Sequence, residues 1–196
     1  MKLLCTKRSP YARKVRILAI EKKIDLELME EDLVNKSARL IEANPLGKIP
    51  ALILDDGQCL VDSPVICEYL DDLKEAPVLI PKIKEDCLKI KHLEAMADGL
   101  MDVTVALYLE KTRHPNDLNE QFIKTQEATI ARTLKFFDKN AAELSRLTLA
   151  SIAIASALGY MQFRLPHLFI RENYSALSKW FDDFSKRPSM TQTMPG

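Results

Sequence analysis

The sequence has no excess of either charge: Lys plus Arg and Asp plus Glu each number 28 in 196 residues. A chain so balanced carries no electrostatic footprint for nucleic acid. It also lacks a long apolar run. The opening MKLLCTKRSP returns to charged residues far too soon for a secretory segment or a membrane span. The expected location is therefore cytoplasmic, with no membrane partner. Cys5, Cys59, Cys67 and Cys87 form no C-x-x-C pair, and His92, His114 and His167 lie far apart. That spacing points to neither a disulfide framework nor a zinc motif, and no metal is expected. Repeats and low-complexity tracts are missing too, whereas 47% hydrophobic content suffices for a sizeable core in one large or two small domains.

One more absence is local. Residues 7–16, KRSPYARKVR, carry Ser-Pro-Tyr-Ala where a redox protein would set two cysteines around the Pro-Tyr pair. Ser9 can still serve sulfur chemistry if the reactive sulfur belongs to a bound ligand.

What is present divides into two textures. Up to residue 76, short apolar runs (KLLC, LELME, ALIL, CLV) alternate with amphipathic stretches (PYARKVRILAIEKK, KSARLIEA, PVICEYLDDL), which predicts βαβ followed by ββα. From about Asp86 the strand pattern stops, and CLKIKHLEAMADGLMDVTVALYLEK, DLNEQFIKTQEATIARTLKFFDKNAAEL, LASIAIASALGYMQFR and YSALSKWFDDFSKR all show apolar residues at helical spacing. Pro77 and Pro81 punctuate the join. The expected organisation is an α/β domain over 1–76, a linker over 77–85 and an all-helical domain over 86–196.

Three turns in the first half could serve one ligand. Ser9 followed by Pro10 is an N-cap with proline at the first helical position, and the free N–H groups of such a terminus favour an anion, a thiolate included. In NPLGKIPALIL, Pro50 stands just before a strand, where an X-Pro bond can be cis and Ile49 can pair with an extended peptide. Asp62 and Ser63 precede Pro64 at another helix start suited to a carboxylate. Each turn taken alone reads first as an ordinary helix cap or strand entry.

Together, Ser-Pro-Tyr-Ala, Asn-Pro-Leu-Gly-Lys-Ile-Pro and Asp-Ser-Pro-x-Ile-x-x-Tyr-Leu resemble the thioredoxin-like domain of cytosolic glutathione transferases. The resemblance extends through LTLASIAIASALGY and the closing RPSMTQTMP, and EAMADGLMD resembles a segment of bacterial members with a serine at the reactive position. It implies a thioredoxin-like N-terminal domain joined to an all-α C-terminal domain, and a glutathione-dependent transferase that activates the thiol for attack on a small electrophile. Glutathione would be the co-substrate and the assembly a homodimer. An alternative within the same resemblance is a non-catalytic interaction module of the stringent-starvation type.

The resemblance also implies roles for residues. Ser9 falls where theta- and zeta-like enzymes have serine and beta- and omega-like ones cysteine. A serine can only donate a hydrogen bond to the thiolate, which favours conjugation or addition over disulfide exchange. Ile49 would pair with the cysteinyl backbone of glutathione, with Pro50 setting the geometry and Lys48 nearby. Asp62 would face the γ-glutamyl ammonium and Ser63 its carboxylate. Tyr11, Met96, Leu100, Met101, Tyr108 and Arg113 are candidates for the second-substrate pocket, although a Met and Leu stripe at helical spacing also reads as core. Asp98 and Asp102 either reach a partner's ligand or lie on a solvated face, and Arg13, Lys14 and Arg16 read as surface or interdomain charges. Thr148 is followed by Ser151 rather than an acid, which predicts a weakened capping box.

Overall fold

The computed structural model describes residues 1–113 and 115–196. His114 lies outside them. In the first half the elements are β1 (Lys2–Cys5), α1 (Pro10–Glu21), β2 (Glu27–Glu30), α2 (Ala38–Ala43), β3 (Ala51–Ile53), β4 (Cys59–Leu60) and α3 (Ser63–Asp72). The strands form one sheet in the order β2-β1-β3-β4, with β1 and β2 parallel and the β1/β3 and β3/β4 pairs antiparallel. The second half holds α4 (Lys84–Arg113), α5 (Glu120–Lys139), α6 (Leu149–Arg164), α7 (Ser175–Ser185) and α8 (Pro188–Gln192). The fold is the expected α/β sheet followed by a helical bundle.

Boundaries differ where caps decide. The stretch read as one helix from Asp117 to Leu144 starts instead at Glu120, because the Asn119 side chain accepts from Phe122 N at 2.9 Å. It ends at Lys139, where Asn140 donates its side-chain amide to Phe136 O at 2.7 Å and a 3-10 turn, Ala141–Ser145, takes over. Helix α4 begins at Lys84, before the last residue of the expected linker.

Helix α6 is the centre of the bundle: every residue from Leu149 to Met161 is buried. Each buried Ile or Leu there contributes about 1.5–3 kcal/mol over an exposed one. Its start corrects the expectation of a weak box. Thr148 N donates to Ser151 Oγ at 2.9 Å, Ser151 N donates to Thr148 Oγ1 at 3.3 Å, and Ser151 Oγ donates to Thr148 O at 2.8 Å. Ser151 is wholly buried, so its short neutral side chain meets the cap without bringing a charge out of water.

The two halves are fastened through α1. Lys14 Nζ reaches Glu94 at 2.9 Å and Asp98 at 2.7 Å on α4, and Arg13 donates to Met190 O at 3.1 Å on α8. At its other end, Glu21 accepts two bonds from Arg187, at 2.8 and 2.9 Å. The expectation of surface or interdomain charges is thereby narrowed: Arg13, Lys14 and Arg16 are all buried, and Arg13 and Lys14 bridge the halves. Between the halves, buried Lys22 donates to Asp71 at 2.8 Å and Pro77 O at 2.8 Å, while Asp71 also accepts from Leu79 N and Ile80 N. Leu149 N then donates to Leu79 O at 3.0 Å, tying the connecting segment to the start of α6.

Candidate functional site

The sheet brings the three turns together. Strand β1 runs up to Cys5 and β3 starts beside it, with Leu4 opposite Ala51; β4 runs back with Leu60 opposite Leu52. The end of β1, the start of β3 and the end of β4 therefore share one edge, and Ser9, Ile49-Pro50 and Asp62-Ser63 all leave from it.

At the first turn Ser9 is the N-cap of α1 and its Oγ accepts from Ala12 N at 3.2 Å. That uses a lone pair. The hydroxyl proton remains free to be donated to an anion beside the helix start. Tyr11, half-buried in the first turn, donates its phenol to Asp102 of α4, and burial with this bond holds its pKa above the ordinary phenol value.

The second turn is locked by Asn44. Its amide nitrogen donates to Lys48 O at 2.8 Å and its oxygen accepts from Leu46 N at 3.0 Å. Gly47 has φ +60, a left-handed conformation that selects glycine. The Ile49-Pro50 bond is cis. The Ile49 side chain is buried with Leu4, Leu40, Ala43 and Ala51, and the sheet ladder stops at Ala51, short of the Ile49 backbone. Lys48 is exposed.

At the third turn Asp62 caps α3 through Ser63 N. Ser63 is 1% exposed, and its Oγ is buried with no hydrogen-bond partner among the described residues. A buried hydroxyl left unpaired costs about 1–3 kcal/mol, and a ligand carboxylate would remove that cost. The residues here thus fit glutathione: an open donor, an unpaired strand backbone, an acid and an orphaned hydroxyl on one edge.

Behind α3 lies a charged cluster. Two carboxylates, Glu94 and Asp98, share the Lys14 ammonium. Burial disfavours the charge on Lys14, but Cys67, Asp98 and Glu94 outweigh it and hold its pKa above the usual value. Asp98 is left short of compensation: burial raises it to about 6, with Glu94 and Asp62 adding to the shift and Lys14 opposing it. Burial likewise pushes the Cys67 thiol far up, which makes it inert.

The proposed pocket stripe splits. Leu100 and Met101 are core residues, because Leu93, Ala97, Leu100, Met101, Thr104 and Leu107 form the buried face of α4 at spacings of three and four. They have no surface to offer a substrate. Met96 and Tyr108 are half-buried, packed against that core, and Arg113 is exposed in the last turn of α4. Asp98 and Asp102 find partners within the chain, on Lys14 and Tyr11. The sequence reading missed Arg164, whose Nη1 donates to Tyr108 Oη at 3.0 Å. An arginine closing an otherwise apolar helix was the available signal.

Comparison with known proteins shows which family has this sequence and fold. Residues 8–73 match the family described as glutathione S-transferase, N-terminal domain, and residues 92–183 match its C-terminal domain. The uncharacterized GST-like protein YibF of Escherichia coli K12 is 35% identical over 168 residues, covering 84% of this chain and 83% of its own. A glutathione transferase family member from Pseudomonas fluorescens Pf-5 with bound glutathione superposes with TM-score 0.93 at 39% identity, over 100% of this chain and 98% of that one. The same protein has been solved with bound S-(propanoic acid)-glutathione, with 38% identity, TM-score 0.91 and 100% of both chains covered. A glutathione S-transferase from Methylobacillus flagellatus KT with glutathione bound gives TM-score 0.94 at 36% identity, over 100% and 99%. By its sequence over both halves and by its sheet and bundle, the chain belongs to the glutathione S-transferase family.

Proposed function

We propose that this protein is a glutathione transferase that activates the glutathione thiol for attack on a small electrophile. The observation that carries the reading is the buried, unpartnered Ser63 Oγ on the same sheet edge as the Ser9 cap. In this reading Ser63 and the α3 terminus take the γ-glutamyl carboxylate, and Asp62 takes the ammonium. The Ile49 backbone, presented by Pro50 and the Asn44-locked turn, pairs with the cysteinyl residue, with Lys48 at the rim. Ser9 donates a hydrogen bond to the thiolate, and the N–H groups at the start of α1 add their partial positive charge.

The glutathione-binding domain is assigned to 1–76, the linker to 77–85 and the helical domain to 86–196. The second substrate is assigned to the space beside Tyr11, Met96, Tyr108 and Arg113. A thioether bound to the Pseudomonas relative supports conjugation as the reaction class. Assembly as a homodimer and a cytoplasmic location complete the proposal.

The test is calorimetry with glutathione. Wild-type protein is expected to bind, and Ser63→Ala to weaken binding by about 1–2 kcal/mol, roughly five- to thirtyfold. An affinity unchanged by the substitution would overturn the assignment of Ser63. No binding by the wild type would overturn the function.

A further inference from the structure

Arg39, Arg171 and Arg187 each pair with a carboxylate, on Glu31, Asp182 and Glu21. Arg164 pairs with none among the described residues. Its guanidinium carbon sits 4.4 Å from the centre of the Tyr108 ring and 4.3 Å from that of Phe163, so the plane is fixed by aromatic contacts. Nη1 is committed to Tyr108 Oη. Nε is buried without a partner among the described residues, and the Tyr160 phenol lies beside the guanidinium without neutralising it. A half-buried cation held rigid but not neutralised is pre-organised for an anion supplied from outside.

Its position decides which anion. Tyr11 donates its phenol to Asp102 of α4, and Tyr108, six residues further along the same helix, accepts from Arg164. Tyr11 stands two residues after Ser9, on the same first turn of α1. The reactive turn and the guanidinium are thus both tied to one stretch of α4, beside the residues assigned to the second substrate. An anion at Arg164 belongs to that substrate rather than to the γ-glutamyl arm, which the opposite end of the edge serves.

We infer that Arg164 is a specificity-determining residue that recognises a carboxylate on the electrophile, making small organic acids the preferred second substrates. This rests on the proposed function. The planar guanidinium suits a carboxylate, and the flanking Tyr108 and Phe163 rings give its carbon chain an apolar surface. In the reaction, the thiolate sulfur forms a C–S bond to the electrophilic carbon, and the leaving group departs with the electron pair of the broken bond. The thiol proton goes to solvent.

Two matched probes test it: 4-(chloromethyl)benzoate and 4-(chloromethyl)benzamide, each losing chloride, with rates corrected for the uncatalysed reaction. Wild-type protein is expected to favour the benzoate in kcat/KM by about tenfold to a hundredfold, Arg164→Gln to abolish that preference, and Arg164→Lys to keep part of it. Binding of the two corresponding S-benzyl glutathione products, measured by calorimetry, should show the same ranking without requiring turnover. A wild-type preference near one, or a preference that survives Arg164→Gln in both measurements, overturns the inference. Those outcomes with glutathione still bound leave the proposed function standing. Absence of binding by glutathione and both adducts overturns the two together.

Discussion

A methyl group on Gly159 would stand 2.2 Å from Nη1 of Arg13, so the buried guanidinium occupies the space where any other residue would carry its Cβ. Arg13 is held there by Met190 O and Thr193 Oγ1. Alanine inside a helix normally gains about 1 kcal/mol over glycine. Displacing a buried guanidinium from its acceptors costs about 1–3 kcal/mol. Gly159→Ala is therefore expected to lower stability in the wild type and raise it by about 1 kcal/mol in an Arg13→Ala background. Urea midpoints around this double-mutant cycle check the reversal of sign; equal effects in both backgrounds would show that Arg13 moves aside freely.

Ser9→Ala separates two roles of one hydroxyl. As a cap its loss should cost about 1 kcal/mol of stability. As a donor it acts on the thiol: at a pKa of about 8.5 roughly 3% is thiolate at pH 7, and lowering the pKa by about two units ionises roughly three quarters. The variant should lose up to about 25-fold in kcat at pH 7, with the deficit shrinking toward pH 9. A pH–rate profile on an electrophile whose chemistry limits turnover provides the measurement. A loss equal at every pH would mean that Ser9 positions the sulfur without ionising it.

Asp98 gives a second pH signature. Its pKa lies near 6 in the folded protein, above the unfolded carboxyl, so the folded state binds the extra proton between about pH 4 and pH 6. Stability that depends on this proton is present at low pH and is lost as pH rises through 6. Asp98→Asn should remove that decline, flattening the dependence of the urea midpoint on pH between 4 and 7. A decline of the same size in the variant would place its origin elsewhere.

The Ser151 box makes the simplest stability prediction. Ser151→Ala removes the acceptor for Thr148 N and the donor to Thr148 O inside a fully buried turn, and should cost about 1–2 kcal/mol. Thermal unfolding with a cost below about 0.3 kcal/mol would show that the turn is satisfied by other means.

Much of this architecture was legible in the sequence because local rules act alone there. Ser9-Pro10 and Asp62-Ser63-Pro64 announce helix starts, Gly47 announces a turn, and LASIAIASALGYMQFR matches α6 residue for residue. Less legible was what depends on partners distant in the chain. Lys14 looks like an ordinary surface lysine until Glu94 and Asp98 arrive from α4, 80 and 84 residues later. Leu100, Met101, Met96 and Tyr108 share one periodicity, and only the packing of α4 on α6 divides them into core and half-buried positions. Arg164 carried no motif. Its aromatic setting is assembled from α4 and α6 together.

Helix α1 begins at the reactive serine and is bolted to the second half along its length, by Arg13 to α8, Lys14 to α4 and Glu21 to Arg187. The two halves are consequently not interchangeable parts. A chimera joining this sheet to a relative's bundle would inherit a Ser9 turn whose aim is set by someone else's acids and carbonyls, and a graft that kept every residue of the sheet edge would still have to carry Glu94, Asp98, Gly159 and Arg187 with it.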